Sequence, residues 1–194
     1  MKAELRQGPT PRSVGPVSEH LDVLIPEDRI AARVAELARQ IDRDYAGKGE
    51  LVLVGVLRGA FIFLADLVRL LTIPNRVDFI ALSRYEHGDT AAGEVRLGMD
   101  LREPITGRHV LVVEDILDTG VTLGYLLRLL TARQPASLKT CVLTHKPGRL
   151  EADVHLDYVG FDIPDHWVVG YGLDYDNRWR TLPYIATLTR SADG

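Results

Sequence analysis

Apolar positions recur along this chain in two different rhythms. Short unbroken runs occur at Leu51-Val52-Leu53-Val54-Gly55-Val56-Leu57, at Val110-Leu111-Val112-Val113 and from Leu138 to Leu143. With no polar residue alternating, such runs predict strands buried on both faces, as in a parallel sheet covered by helices. Between them, Ile30, Val34, Leu37, Ala38 and Ile41 repeat at helical spacing, as do Phe61, Leu64, Ala65, Leu67 and Val68, and a third helix runs through Tyr125 to Leu130. Pro26 starts the first helix in a position proline tolerates, and Gly47 and Gly49 end it. Shorter strands are predicted at Leu21 to Ile25, Val77 to Leu82, Val95 to Leu101 and Tyr184 to Leu188, with a turn at Pro104 to Gly107. Strand alternating with helix gives the α/β class, a twisted and mostly parallel sheet with helices on both faces. Residues 1–17, rich in proline and glycine, form a loose tail, and 18–194 form one domain without internal repeats.

The pattern breaks most sharply after Val113. Glu114-Asp115 ends a hydrophobic strand, and Asp118-Thr119-Gly120-Val121-Thr122 then opens a helix. A structural reading takes Asp118 or Thr119 as the helix cap. That explains one side chain, but not two adjacent carboxylates, of which only one can point to each face and any buried one needs a partner. Small polar residues at a helix start leave N–H groups pointing forward, an anion pocket. Acids beside such a pocket would repel a bare phosphate. They suit a ligand that also carries hydroxyls, a metal, or a cationic centre formed during reaction.

This stretch resembles the signature of the type I phosphoribosyltransferases, enzymes that use 5-phosphoribosyl 1-pyrophosphate (PRPP), and Asp118 is similar to the 6-oxopurine branch. The resemblance implies that Glu114 and Asp115 accept the ribose 2′ and 3′ hydroxyls and that Asp118 to Thr122 wrap the 5′-phosphate. Val121 stands where several relatives have a basic residue. Asp118 is the implied catalytic acid or base at N7 of the purine. Leu57-Arg58-Gly59 resembles the family's pyrophosphate loop, where relatives often strain a peptide bond. Ser83 and Tyr85 sit at the hinge of an implied mobile lid running to Gly93, whose closure would exclude water from a ribosyl cation-like centre. Arg180 matches a further pyrophosphate contact.

The segment Gly160-Phe161-Asp162-Ile163-Pro164-Asp165-His166-Trp167-Val168-Val169-Gly170-Tyr171-Gly172-Leu173-Asp174 carries a second resemblance. It implies that Trp167 stacks on the base, that Val168 offers backbone groups to the base edge, and that Asp174 touches the metal or its water. In isolation Trp167 reads equally well as core packing. Lys146 is the implied donor to the purine O6, and Arg149 receives no role. Glu114, Asp115 and Asp174 are the candidate metal contacts, with Mg²⁺ held mainly by substrate. The likeness extends from Ile25 to Leu188 and implies the type I fold with a small hood, drawn from about 18–25 and 150–190, over the carboxyl ends of the strands.

The implied reaction moves the phosphoribosyl group from PRPP to N9 of hypoxanthine or guanine, giving IMP or GMP and pyrophosphate, a purine salvage step. Lys+Arg 23 against Asp+Glu 27 gives a net charge of −4, which offers no general attraction to nucleic acid or anionic membrane. The single Cys141 lies in an apolar run, so neither a disulfide framework nor a thiolate zinc site is expected, consistent with cytoplasm. Six scattered histidines form no zinc-ligand spacing. No run reaches the length of a bilayer span, and no hydrophobic signal core is expected. Relatives are dimers or tetramers, so a homodimer or homotetramer is implied. Three rivals stand beside this reading: a xanthine-preferring transferase, a PRPP-sensing regulator that binds RNA or DNA, and a structural protein that keeps only the fold.

Overall fold

Each apolar run forms the strand that its pattern predicts. The computed structural model describes residues 17–85 and 94–192. In chain order the elements are β1 (Val17–Ile25), α1 (Glu27–Tyr45), β2 (Leu51–Leu57), α2 (Phe61–Leu70), β3 (Asn75–Tyr85), β4 (Glu94–Met99), β5 (His109–Leu117), α3 (Val121–Thr131), β6 (Ser137–His145), β7 (Tyr158–Asp162), β8 (Val168–Val169) and β9 (Ile185–Ala192). Residues 1–16 of the expected tail lie outside the described residues.

Six strands form the main sheet in the order β4-β3-β2-β5-β6-β7. All pairs are parallel except β3 with β4. The chain runs from β2 outward to β3 and β4, then returns to place β5 on the other side of β2. Strand order therefore reverses between β2 and β5, and the carboxyl ends of those two strands flank the crevice where ligands bind in such sheets.

Alternate residues of the central strands feed two cores. Leu51, Leu53, Leu111, Val113, Cys141 and Leu143 pack under α1 and α2, while Val52, Val54, Val110, Val112 and Val142 pack under α3. Helix α1 buries Ile30, Val34, Leu37, Ala38, Ile41 and Tyr45, the predicted stripe extended by one residue. Each large aliphatic side chain taken fully from water contributes about 1.5–3 kcal/mol. Pro26 is the N-cap of α1 and Glu27 its first helical residue.

The hood is a three-stranded sheet, β1-β9-β8. The hood range anticipated from sequence, about 18–25 and 150–190, needs one correction. Residues 158–162 form β7, which pairs with β6 and widens the main sheet instead. Gly160 permits that pairing, since a Cβ there would stand 2.3 Å from the Leu143 carbonyl oxygen. The carbonyls of Val159 and Gly160 accept hydrogen bonds from Arg33 at 2.7 and 3.0 Å, which covers the sheet edge. No described helix is long and apolar enough to cross a membrane.

Candidate active site

Strand β5 pairs with β2 only as far as Val113 but stays paired with β6 to Leu117. The acidic pair therefore does not end the strand, as the sequence pattern predicts. It begins the part that has lost one neighbour. The Thr144 hydroxyl donates to the Asp115 carbonyl at 2.8 Å, fixing this half-free segment against β6. On the open side, the chain after β2 turns through Arg58 and Gly59, and the Leu57–Arg58 peptide bond is cis.

Asp115 is 8% exposed and lies against Gly59, where a Cβ would fall 1.7 Å from Asp115 Oδ2. Gly172 closes on the same loop from the hood side, its φ +103° and its imaginary Cβ 2.0 Å from the Gly59 carbonyl oxygen. Two glycines thus let three chain segments meet where any side chain would force them apart. Burial pushes the Asp115 carboxyl up to about 6, against the pull of neighbouring backbone N–H groups and the Arg180 charge. Glu114 is also held well above the usual glutamate range, by burial first and by the charge of Asp115 second.

The sign of that shift gives a stability test. A carboxyl raised on folding makes the native state bind more protons than the unfolded one, so its contribution falls as pH rises. Glu114→Gln is expected to raise the melting temperature of the unliganded protein at pH 7.5, and the gain should vanish as pH falls toward the ordinary glutamate range. Thermal melts across that pH range check it; a pH-independent change would contradict the burial argument.

Arg180 ties the hood loop together. It donates to the Gly172 carbonyl at 2.8 Å, pairs with Asp174 Oδ1 at 2.7 Å and shares Asn177 Oδ1 with Arg58, at 3.3 and 3.4 Å. The other Asp174 oxygen accepts the Asn177 N–H at 2.7 Å. Arg58, Gly59, Asp174 and Arg180, distant in sequence, are brought into one group. Asn177 and Gly172 had no assigned role from sequence. The Gly-Tyr-Gly run at 170–172 was the available signal, and the close approach it serves is tertiary.

Two cavities open beside this group. One of about 200 Å³ is lined by Asp115, Asp118, Lys146, Trp167, Val168 and Asp174. Another, of about 290 Å³, is lined by Glu114, Asp118, Thr119, Gly120, Thr122 and Arg149. Asp118 lines both. Helix α3 starts at Val121 with Gly120 as N-cap, at φ +80°, in place of the Asp118 or Thr119 that a purely structural reading names, and the helix start lies at the second cavity.

Trp167 is 59% exposed, which excludes a core role, and the Tyr175 ring meets it edge-on at 5.4 Å. Val168 is buried in β8. Lys146 is 7% exposed at the end of β6, its N–H donated to the Leu117 carbonyl. Its ammonium donates to Asp165 Oδ1 at 3.4 Å, and Arg149 pairs with Asp118 Oδ1 at 2.8 Å. Ser83 lies exposed on β3 and lines neither cavity. Tyr85 ends that strand, and the rest of the expected lid, residues 86–93, lies outside the described residues. Among the described residues no three His, Cys, Asp or Glu side chains form a group able to hold a metal ion, so Glu114, Asp115 and Asp174 do not make a protein cage.

Comparison with known proteins places the chain in a family. The family profile of the phosphoribosyl transferase domain matches residues 24–176. The chain is 50% identical over 166 residues to hypoxanthine phosphoribosyltransferase of Salmonella typhimurium, covering 85% of this chain and 93% of the relative. It is 48% identical over 171 residues to hypoxanthine-guanine phosphoribosyltransferase of Mycobacterium tuberculosis, covering 86% and 85%. Among solved structures, a hypoxanthine-guanine phosphoribosyltransferase from Bacillus anthracis superposes with TM-score 0.82 at 42% identity, covering 89% of this chain and 100% of the other. A ternary substrates complex of Trypanosoma cruzi hypoxanthine phosphoribosyltransferase gives 0.82 at 45% identity, covering 86% and 94%.

Proposed function

The chain belongs to the phosphoribosyl transferase domain family, and on that premise we propose that it transfers the 5-phosphoribosyl group from PRPP to N9 of hypoxanthine or guanine, releasing pyrophosphate. The observation that carries this reading is the pair of cavities that Asp118 and Ile116 both line, one with the chemistry of a base site and one with that of a phosphate cradle. A ligand with a purine at one end and a phosphoryl tail at the other would use both.

In this reading Lys146 donates to O6, Trp167 stacks on the ring and Val168 meets its edge through its backbone. Asp118 takes or returns the N7 proton. Glu114 and Asp115 accept the ribose hydroxyls and favour positive charge growing at C1′. Thr119, Gly120, Val121 and Thr122 hold the 5′-phosphate, while Leu57, Arg58, Gly59 and Arg180 receive the pyrophosphate, with Ser83 and Tyr85 as lid contacts. Phosphoribosyltransferases generally use Mg²⁺ with PRPP, and the hard oxygens of Asp115 and Asp174 fit it. Most of its ligands would come from the diphosphate, and when bound it would supply positive charge against the leaving group. A cytoplasmic homo-oligomer belongs to the same proposal.

Incubation with PRPP, Mg²⁺ and each of hypoxanthine, guanine and xanthine, following nucleotide and pyrophosphate together, tests it. Equal formation of both products from a 6-oxopurine is expected. Turnover of xanthine alone would replace the base assignment, and a PRPP-dependent shift of nucleic acid without turnover would replace the enzyme. Lys146→Ala is expected to raise the KM for the base by about tenfold or more, the effect of losing a charged hydrogen-bond donor, with PRPP KM unmoved. An unchanged ranking of bases would remove Lys146 from the specificity argument.

A further inference from the structure

Four side chains at the mouth of the site form a row of alternating charge, and the proposed function uses only its two ends. Asp118 Oδ1 lies 2.8 Å from Arg149 Nε. Arg149 Nη1 donates to Asp165 Oδ2 at 3.4 Å, and Lys146 Nζ donates to Asp165 Oδ1, also at 3.4 Å. The lysine side chain is 9% exposed, against 42% for Asp118 and Arg149 and 56% for Asp165. A buried ammonium left without a partner is costly, and Asp165 supplies one from the surface.

The path of the chain holds this row in place. A single 3₁₀ turn, Pro147–Arg149, returns the chain beside Lys146, whose carbonyl accepts the Arg149 N–H at 3.1 Å. The N–H groups of Glu151 and Ala152 then donate to the Thr119 carbonyl, binding this loop to the one that carries Asp118. Arg149 is thus anchored on both sides within reach of two carboxylates.

We infer that Arg149 and Asp165 are stand-in partners for the base-binding groups and that a 6-oxopurine is admitted by exchange. Its O6 replaces Asp165 on Lys146 and its N7–H replaces Arg149 on Asp118. The two displaced side chains, already in contact, close on each other. No charge is stranded at any stage, which a site with fixed, unpaired Lys146 and Asp118 would not achieve. A 6-aminopurine brings a donor to Lys146 and cannot complete the exchange. The inference rests on the proposed function and adds two positioning residues to it.

A double-substitution cycle on hypoxanthine KM, at saturating PRPP, tests the exchange. Arg149→Gln leaves Asp165 with Lys146 as its sole partner in the row, and Asp165→Asn leaves Arg149 with Asp118 alone. Each single change therefore locks one competitor in place, while the double variant removes both. The product of the two single-variant KM values is expected to exceed the product of the wild-type and double-variant values by about two- to fivefold, the range for exposed ion pairs. Arg149 also lines the second cavity, so PRPP KM can move with Arg149, but it should show no coupling between the two positions, and Arg149→Lys should return hypoxanthine KM toward wild type. Equal products, or the same coupling in PRPP KM, would overturn the exchange while leaving the transferase reading intact. Absence of nucleotide formation by the wild-type protein with any base would overturn that reading and the exchange with it.

Discussion

Asp118→Asn is expected to lower kcat by about 10²- to 10⁴-fold, the usual worth of a positioned acid or base, while PRPP KM moves little. Asp118 lines both the base cavity and the phosphate cavity, and its backbone leads directly into the loop that starts α3. Asparagine keeps the size and the ability to meet Arg149, but it cannot take up a proton. Steady-state kinetics with each substrate varied in turn separates the roles: a loss confined to kcat identifies proton handling at N7, and equal losses in kcat and PRPP affinity would identify a structural prop.

The second large effect lies on the other side of the crevice. Gly59→Ala is expected to reduce kcat/KM for PRPP by about 10²-fold or more, the scale of an ångström-sized misplacement in an active site. A methyl group there would overlap the Asp115 carboxylate, and retreat is blocked because Gly172 already presses on the Gly59 carbonyl. Either the loop after β2 or the strand carrying Asp115 must move. Since α2 begins two residues after Gly59, the displaced loop should also lower the melting temperature by several degrees, the usual result of overpacking. Near-normal PRPP kinetics in a folded Gly59→Ala protein would show that the contact between Gly59 and Asp115 does not matter to the ligand.

Much of this arrangement is legible in the sequence because it rests on local rules. Apolar runs with no alternation specified β2, β5 and β6, and the stripe from Ile30 to Ile41 specified α1. The acids after Val113 announced a site because hydrophobic strands have no structural use for a carboxylate pair. Other features depend on which neighbour a strand acquires. Two residues of β5 beyond Asp115 continue because β6 runs beside them, and nothing within the strand itself reports that. The residues of β7 read as part of the hood until Gly160 is seen lying on Leu143. Trp167 was ambiguous between core and ligand face, since its chemistry suits both, and only its exposure decides. Arg149 carried no role because its meaning comes from Asp118 and Asp165, residues that reach it through folding alone.

The departure of β2 from β5 after Val113 has a wider consequence. Upstream of that point every residue of β5 is gripped on both sides, and a change there is answered by the whole interior. Downstream, β5 keeps a ladder on one side only, and Asp115 packs instead against the loop at Gly59, so a change there is answered by a loop rather than by a second strand. The boundary between a strand held by the sheet and one held by a loop is therefore a single rung of a ladder: substitutions before it should disturb the sheet, and those just beyond it the turn after β2.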